Sequence, residues 1–98
     1  MSNAVEFVSF DLKAGVSIPD FLLASDKMND EFLIMQKGYI SRKLLRDDRR
    51  WADLVLWETL EDAQNAADAF GKSDVGGEYA CLIENIDFHD FSEVKRYG

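Results

Sequence analysis

The chain has 98 residues, enough for one domain spanning 1–98 and not for two. Its formal net charge of −8 argues against a nucleic-acid or anionic-membrane partner, since both demand a positive footprint. A domain this small buries only about 60 to 65% of the surface its unfolded chain exposes, so a partner subunit would help complete the core. Val5 to Lys13, VEFVSFDLK, alternates as a strand, with Val8, Phe10 and Leu12 on one face and Val5, Phe7 and Ser9 on the other. Gly15 marks a turn. Ser17 then caps a helix; Pro19 is tolerated in its first turn, where the missing N–H costs nothing, and Asp20 favours the helix dipole. Phe21, Ser25, Met28, Phe32 and Met35 recur at helical spacing until Gly38 closes the segment.

Tyr39 to Arg46, YISRKLLR, reads as the most polar strand and belongs toward an edge, with Ile40 and Leu44 sharing a face with Arg42 and Arg46, and Tyr39 and Leu45 with Ser41 and Lys43. Asp47 to Arg50 is short enough for a hairpin loop. Five of the eleven basic residues fall between Arg42 and Arg50, which reads as a solvated, locally positive hairpin end neutralised by Asp47, Asp48 and a partner's carboxylates.

Trp51 to Phe70, WADLVLWETLEDAQNAADAF, organises the rest. Trp51, Asp53, Val55 and Trp57 share one strand face, and Ala52, Leu54 and Leu56 the other. After Thr59 the apolar positions Ala63, Ala66, Ala67 and Phe70 follow a helical period. Thr59 with Asp62 forms a capping box, and Gly71 is placed to end the helix in a left-handed conformation. Ser73 opens a brief helix carrying Val75, Tyr79, Leu82 and Ile83, weakened by Gly76 and Gly77. Cys81, between Ala80 and Leu82, reads as a small buried hydrophobe. Ile86 to Tyr97 is the last strand, with Ile86, Phe88 and Val94 set against His89 and Phe91.

The order β-α-β-β-α-(α)-β folds as an α+β protein, a ferredoxin-like antiparallel sheet with both main helices on one face. The opposite face is also apolar, whichever parity is chosen. An exposed apolar surface of several hundred Å² calls for cover, and the simplest cover is a second copy about a two-fold axis, which makes the expected partner a homodimer through the sheet face. Trp51, near the hairpin, is expected at that dimer interface. No signal peptide or membrane-length apolar run is evident, so the expected location is the cytoplasm.

The strand-Trp-helix stretch LVLWETLEDAQNAADAF, the KSDV turn at Lys72 to Val75 and the ending GEYACLIENIDFHDFSEV resemble the dimeric α+β barrel proteins related to antibiotic biosynthesis monooxygenases. The resemblance covers nearly the whole chain. It implies two ferredoxin-like protomers packed sheet to sheet into a barrel, each with a pocket between its own sheet and helices. It also implies a small cofactor-independent monooxygenase acting on an aromatic compound. The quinone-forming members place an Asn four residues before the strand Trp; here those positions are Asp53 and Trp57. An Asp accepts a proton but donates an N–H to nothing, so the chemistry departs from theirs. The haem-degrading members carry a first-strand Asn, a helix Trp and a His, at positions nearest to Val8 or Ser9, Phe70 and Ala80 here. Without the iron ligand, haem degradation is not implied.

One His and one Cys, Cys81 and His89, lack metal-type spacing, so no metal and no cofactor is expected. The candidate catalytic residues are Trp57, to hold a flat substrate ring, and Asp53 or His89, to handle protons; Tyr79 and Phe70 are the candidate substrate contacts. Each has a plainer reading: Trp57 as a core anchor, His89 and Tyr79 as rim residues. The alternative function is a non-catalytic dimeric ligand-binding or scaffold protein of the same fold. A polar-lined cavity of a few hundred Å³ between sheet and helices, with Trp57 and at least one of Asp53, His89 or Tyr79 on its wall, keeps the enzyme reading; a space filled by Phe10, Phe21, Phe32 and Phe70 removes it.

Overall fold

In the computed structural model, which describes residues 2–98, the alternating segments become four strands: β1 (Ala4–Leu12), β2 (Tyr39–Arg46), β3 (Trp51–Trp57) and β4 (Ile83–Ser92). They pair antiparallel in the order β2-β3-β1-β4. Three helices, α1 (Ile18–Glu31), α2 (Leu60–Phe70) and α3 (Asp74–Ala80), cover one face of this sheet, giving the α+β ferredoxin-like arrangement. Each helix begins on a hydroxyl cap: Ser17 accepts from the Asp20 N–H at 3.2 Å, Thr59 from the Asp62 N–H at 3.0 Å and Ser73 from the Gly76 N–H at 2.9 Å. Each cap satisfies a donor that the first turn leaves free, worth about 1 kcal/mol.

Two helix ends differ from the sequence reading. The first helix stops at Glu31, and a 3-10 turn, Leu33–Met35, carries the chain to Gly38, whose φ of +83° makes the reversal into β2. Gly71 is right-handed, with φ −63°. No left-handed residue is needed there, because the chain continues through turns from Lys72 N–H to the Ala69 carbonyl and Ser73 N–H to the Phe70 carbonyl, straight into the next cap. The third helix forms fully despite its two glycines. Gly76 is there for closeness: a Cβ on it would collide with the Phe70 carbonyl oxygen.

The helix-covered face of the sheet carries Ala4, Glu6, Val8 and Phe10 from β1 and Trp51, Asp53, Val55 and Trp57 from β3. Trp51 is therefore a core residue and not an interface one. Six residues from Trp57, it has the same parity, and its ring meets Phe21 edge-on at 5.0 Å with the Arg46 guanidinium 5.1 Å from its centre. Phe10, Phe21 and Trp57 are completely buried.

Bulges correct the parity elsewhere. Between Tyr39 and Ser41 the β2 register slips, so Ile40 is extra and Tyr39 faces inward with Arg42, its ring edge-on to Trp57 at 6.0 Å. In β4, Asn85 adopts φ +53° where two residues, Asn85 and Ile86, oppose Phe10. The strand starts at Ile83, earlier than its sequence pattern suggests, and ends at Ser92, leaving Val94 exposed beyond it.

The basic hairpin is not simply solvated. The Arg42 side chain is buried against Asp53, and Arg50 bridges to Asp11 at 3.2 Å and Asp87 at 2.9 Å on the neighbouring strands, so two of the five basic residues are paired with carboxylates of the same chain. Cys81 is exposed. It follows the last residue of α3, where the helix end projects it outward, and its Sγ lies 3.1 Å from the Glu78 carbonyl oxygen. The face of the sheet without helices presents Val5, Phe7, Leu45, Leu54, Leu56 and Phe91, with Phe7, Leu45 and Phe91 exposed. Among the described residues, no helix is long and apolar enough to cross a membrane.

Candidate functional site

The space between sheet and helices is divided. At one end Phe10, Phe21, Trp51 and Tyr79 interlock with ring centres 5.0 to 6.2 Å apart, filling it with aromatic edges and faces. Toward the other end lies a cavity of about 340 Å³. Its floor is the sheet: Glu6 and Val8 from β1, Arg42 from β2, Asp53, Val55 and Trp57 from β3. Its roof is helical, with Met28, Ala66, Phe70 and Tyr79 among the contributors. Ile86 and Phe88 of the edge strand line its side and are each half exposed, so the cavity opens there. The bulge at Asn85 is what places Ile86 beside it. Phe70 meets Phe32 edge-on at 5.7 Å and Tyr79 at 6.4 Å, so it is wall rather than filling.

Four of the five residues singled out from the sequence therefore converge: Trp57, Asp53, Tyr79 and Phe70 all line this cavity. His89 does not. It pairs with Phe7, one residue out of phase with the Val8–Phe88 pair that faces the cavity, and its ring stacks on Phe91 at 4.5 Å on the helix-free face. Strand alternation puts it on the wrong side of the sheet to handle protons inside.

Asp53 is not a free carboxylate. Its Oδ1 accepts from Arg42 Nε at 2.8 Å and lies 2.7 Å from Nη2, and its Oδ2 accepts from the Tyr79 hydroxyl at 2.7 Å. Arg42 in turn donates to Ser25 Oγ at 2.8 Å, to the Ser25 carbonyl at 3.3 Å and to the Tyr79 oxygen at 3.3 Å. The side chains of the pair retain only 6% and 8% exposure. This network ties β2, β3, α1 and α3 together, and its members satisfy one another. Burial, followed by the Asp53 charge, pushes the Tyr79 phenol far above its ordinary value, so it stays a donor.

The carboxylate that pattern reading passed over is Glu6. It stands opposite Val55, diagonal to both Asp53 and Trp57, and its Oε1 accepts from the Trp57 indole N–H at 3.2 Å. Burial pushes its carboxyl up to about 7, the nearby Asp90 and Asp53 charges add to this, and the indole hydrogen bond opposes it. The available signal was its position: a Glu alternating inward between Ala4 and Val8. Among the described residues no group of three His, Cys, Asp or Glu could hold a metal ion.

No family model matches the sequence, and no curated protein matches it. Solved structures do match in shape. A variant of SnoaB, a cofactor-independent oxygenase from Streptomyces nogalater, superposes with a TM-score of 0.80 at 14% identity, over 98% of this chain and 97% of that one. A candidate antibiotic biosynthesis monooxygenase from Bordetella bronchiseptica gives 0.72 at 19% identity, over 97% and 100% of the two chains. A dimeric ferredoxin-like protein from an uncultured marine organism gives 0.67 at 11% identity, over 99% and 92%. The likeness to antibiotic biosynthesis monooxygenase-like proteins is thus one of fold, over nearly the whole chain.

Proposed function

We propose that the chain is a small oxygenase-type enzyme that takes an aromatic compound into the cavity between sheet and helices, without a bound cofactor. The observation that carries this reading is the cavity itself: an apolar chamber of about 340 Å³, walled by Trp57 and Phe70 and floored by a few convergent polar groups. In this reading a flat ring lies in the chamber over the floor that the buried Trp57 supports, and Tyr79 and Phe70 close the opposite side. Asp53 fixes Arg42 and Tyr79 in place and is not the proton acceptor, because both of its oxygens are engaged. Dioxygen is the oxidant: a hydroxylated ring and O₂ go to a quinone and water. The likeness in shape to SnoaB supports the choice of chemistry by analogy alone.

The working unit in this proposal is a homodimer joined through the helix-free sheet face. Support comes from the exposed Phe7, Leu45 and Phe91 on that face, too much apolar surface for a lone subunit, and from the dimeric neighbour of like fold. The test is oxygen uptake by the purified protein with a panel of hydroxylated polycyclic aromatics, wild type against Trp57→Ala. Uptake that needs Trp57 is the expected result. Uptake indifferent to that change removes Trp57 from the mechanism.

One observation favours a second reading, a ligand-binding protein of the same shape without chemistry. The Arg42–Asp53–Tyr79 network is closed on itself and presents no free acid or base to an occupant. Aromatic compounds that bind but consume no oxygen would decide for it.

A further inference from the structure

Glu6 stands out among the cavity's polar groups because no basic residue answers it. Among the described residues Arg42 is the only cation on the cavity wall, and it is committed to Asp53. Glu6 is only 9% exposed, and the indole N–H of Trp57 engages one of its oxygens. Among the described residues no protein group donates to the other. Directly across the β1–β4 ladder from Glu6 stands Asp90, a second acid on the helix-covered face, whose Oδ1 is buried without a hydrogen-bond partner. Like charges facing each other across a sheet repel, and a buried carboxylate without a counter-charge is costly. The helix residues that share the cavity, Met28, Ala66, Phe70 and Tyr79 among them, bring no positive charge. Apart from the self-satisfied Arg42–Asp53–Tyr79 network the chamber is lined by apolar and aromatic side chains, with an unanswered negative group at one point of its floor.

We propose that the cavity's occupant is an aromatic compound bearing a protonated amine, its ring in the apolar part of the chamber between Phe70 and Phe88 and its ammonium on the free oxygen of the Glu6 carboxylate, with Asp90 adding attraction from behind. An ammonium supplies the charge the floor lacks and the donor that Glu6 leaves unmet. A carboxylate-bearing aromatic would meet Glu6, Asp90 and Asp53 as like charges and is excluded. This rests on the cavity being an aromatic-binding site, as in the function proposed above, and specifies which aromatics enter.

The experiment is calorimetric titration of the full chain with three probes of one shape: 1-naphthylmethylamine, 1-naphthylmethanol and 1-naphthoic acid. At about pH 8 the amine binds at least about tenfold more tightly than the alcohol, and the acid does not bind. In Glu6→Gln, which keeps the acceptor for Trp57 and removes the charge, the amine's advantage disappears while the alcohol binds as before. Titrating Glu6 supplies a second arm. The groups facing it are Asp53 and Trp57 on β3 and Asp90 on β4, with Arg42 held by Asp53. With its proton held to about 7, amine affinity falls about tenfold from pH 8 to about pH 6 in the wild type and stays flat in Glu6→Gln. Equal binding of amine and alcohol, or an amine preference that survives in Glu6→Gln, overturns the proposal and leaves the aromatic cavity standing. If none of the three probes binds, the aromatic-site reading fails and this proposal with it.

Discussion

The Arg42 guanidinium and the Asp53 carboxylate meet at 2.7 Å with more than nine-tenths of each side chain withdrawn from solvent. The pair joins adjacent strands diagonally, Arg42 sitting opposite Val55 and Asp53 opposite Leu44. Replacing Arg42 with Met leaves Asp53 buried and uncompensated, and is expected to cost roughly 3 to 5 kcal/mol. Replacing both, as Arg42→Met with Asp53→Leu, is expected to recover most of that loss, because desolvation of the second charge no longer has to be offset. Urea unfolding of the two single variants and the double variant measures both.

Tyr79→Phe isolates the third member. It keeps the ring that meets Phe10, Phe21 and Phe70 and removes the hydroxyl that donates to Asp53 Oδ2 at 2.7 Å. A hydrogen bond to a charged group is worth about 1.5 to 3 kcal/mol, so the unfolding midpoint should fall accordingly. An unchanged midpoint would mean that water replaces the phenol at that oxygen.

Glu6 makes stability depend on pH with a definite sign. In the unfolded chain its carboxyl titrates at its ordinary 4.5, and in the folded protein burial holds the proton to about 7. Between those values the folded state binds more protons, so stability falls as pH rises through the window. The loss due to Glu6 is complete above about pH 7 and is on the order of 3 kcal/mol. Glu6→Gln should therefore be more stable than the wild type at about pH 8, the gap narrowing to little at about pH 4. Denaturation midpoints of the two proteins across that range give the difference directly; a gap that does not change with pH would show that Glu6 titrates as though exposed.

On the helix-free face, Phe7→Glu places a charge among Val5, Leu54 and Phe91. If two sheets press together, that charge should shift the protein from dimer to monomer in sedimentation velocity at micromolar concentration while helix content by circular dichroism is retained. A wild type already monomeric under the same conditions would remove the dimer from the proposed function.

Most of the fold was legible because it is written in periods. The alternation around Trp51 to Trp57 and the hydroxyl caps at Ser17, Thr59 and Ser73 are local signals, and each became the element it announces. The site was legible where parity held: Asp53 and Trp57 are four residues apart on one strand and face the same cavity. It failed where parity breaks or means nothing locally. The bulge at Ile40 turned Tyr39 inward against the simple alternation. His89 was attractive for its chemistry, yet the pairing of β1 with β4 sends it to the opposite face, and no local pattern states that pairing. Glu6 was overlooked for the converse reason: what sets it apart, the Trp57 indole and the Asp90 carboxylate beside it, is brought there by strand pairing and leaves no local sign.

Cys81 turns the position of α3 into something that can be watched. It is the sole thiol of the chain, exposed, and follows directly on Tyr79 and Ala80, both of which touch the cavity. A thiol-reactive fluorophore would attach at one address, outside the chamber but on the helix end that forms part of its roof. Ligand entry that shifts this helix would register as a change in emission, giving an optical gauge of occupancy that requires no turnover and no engineered cysteine.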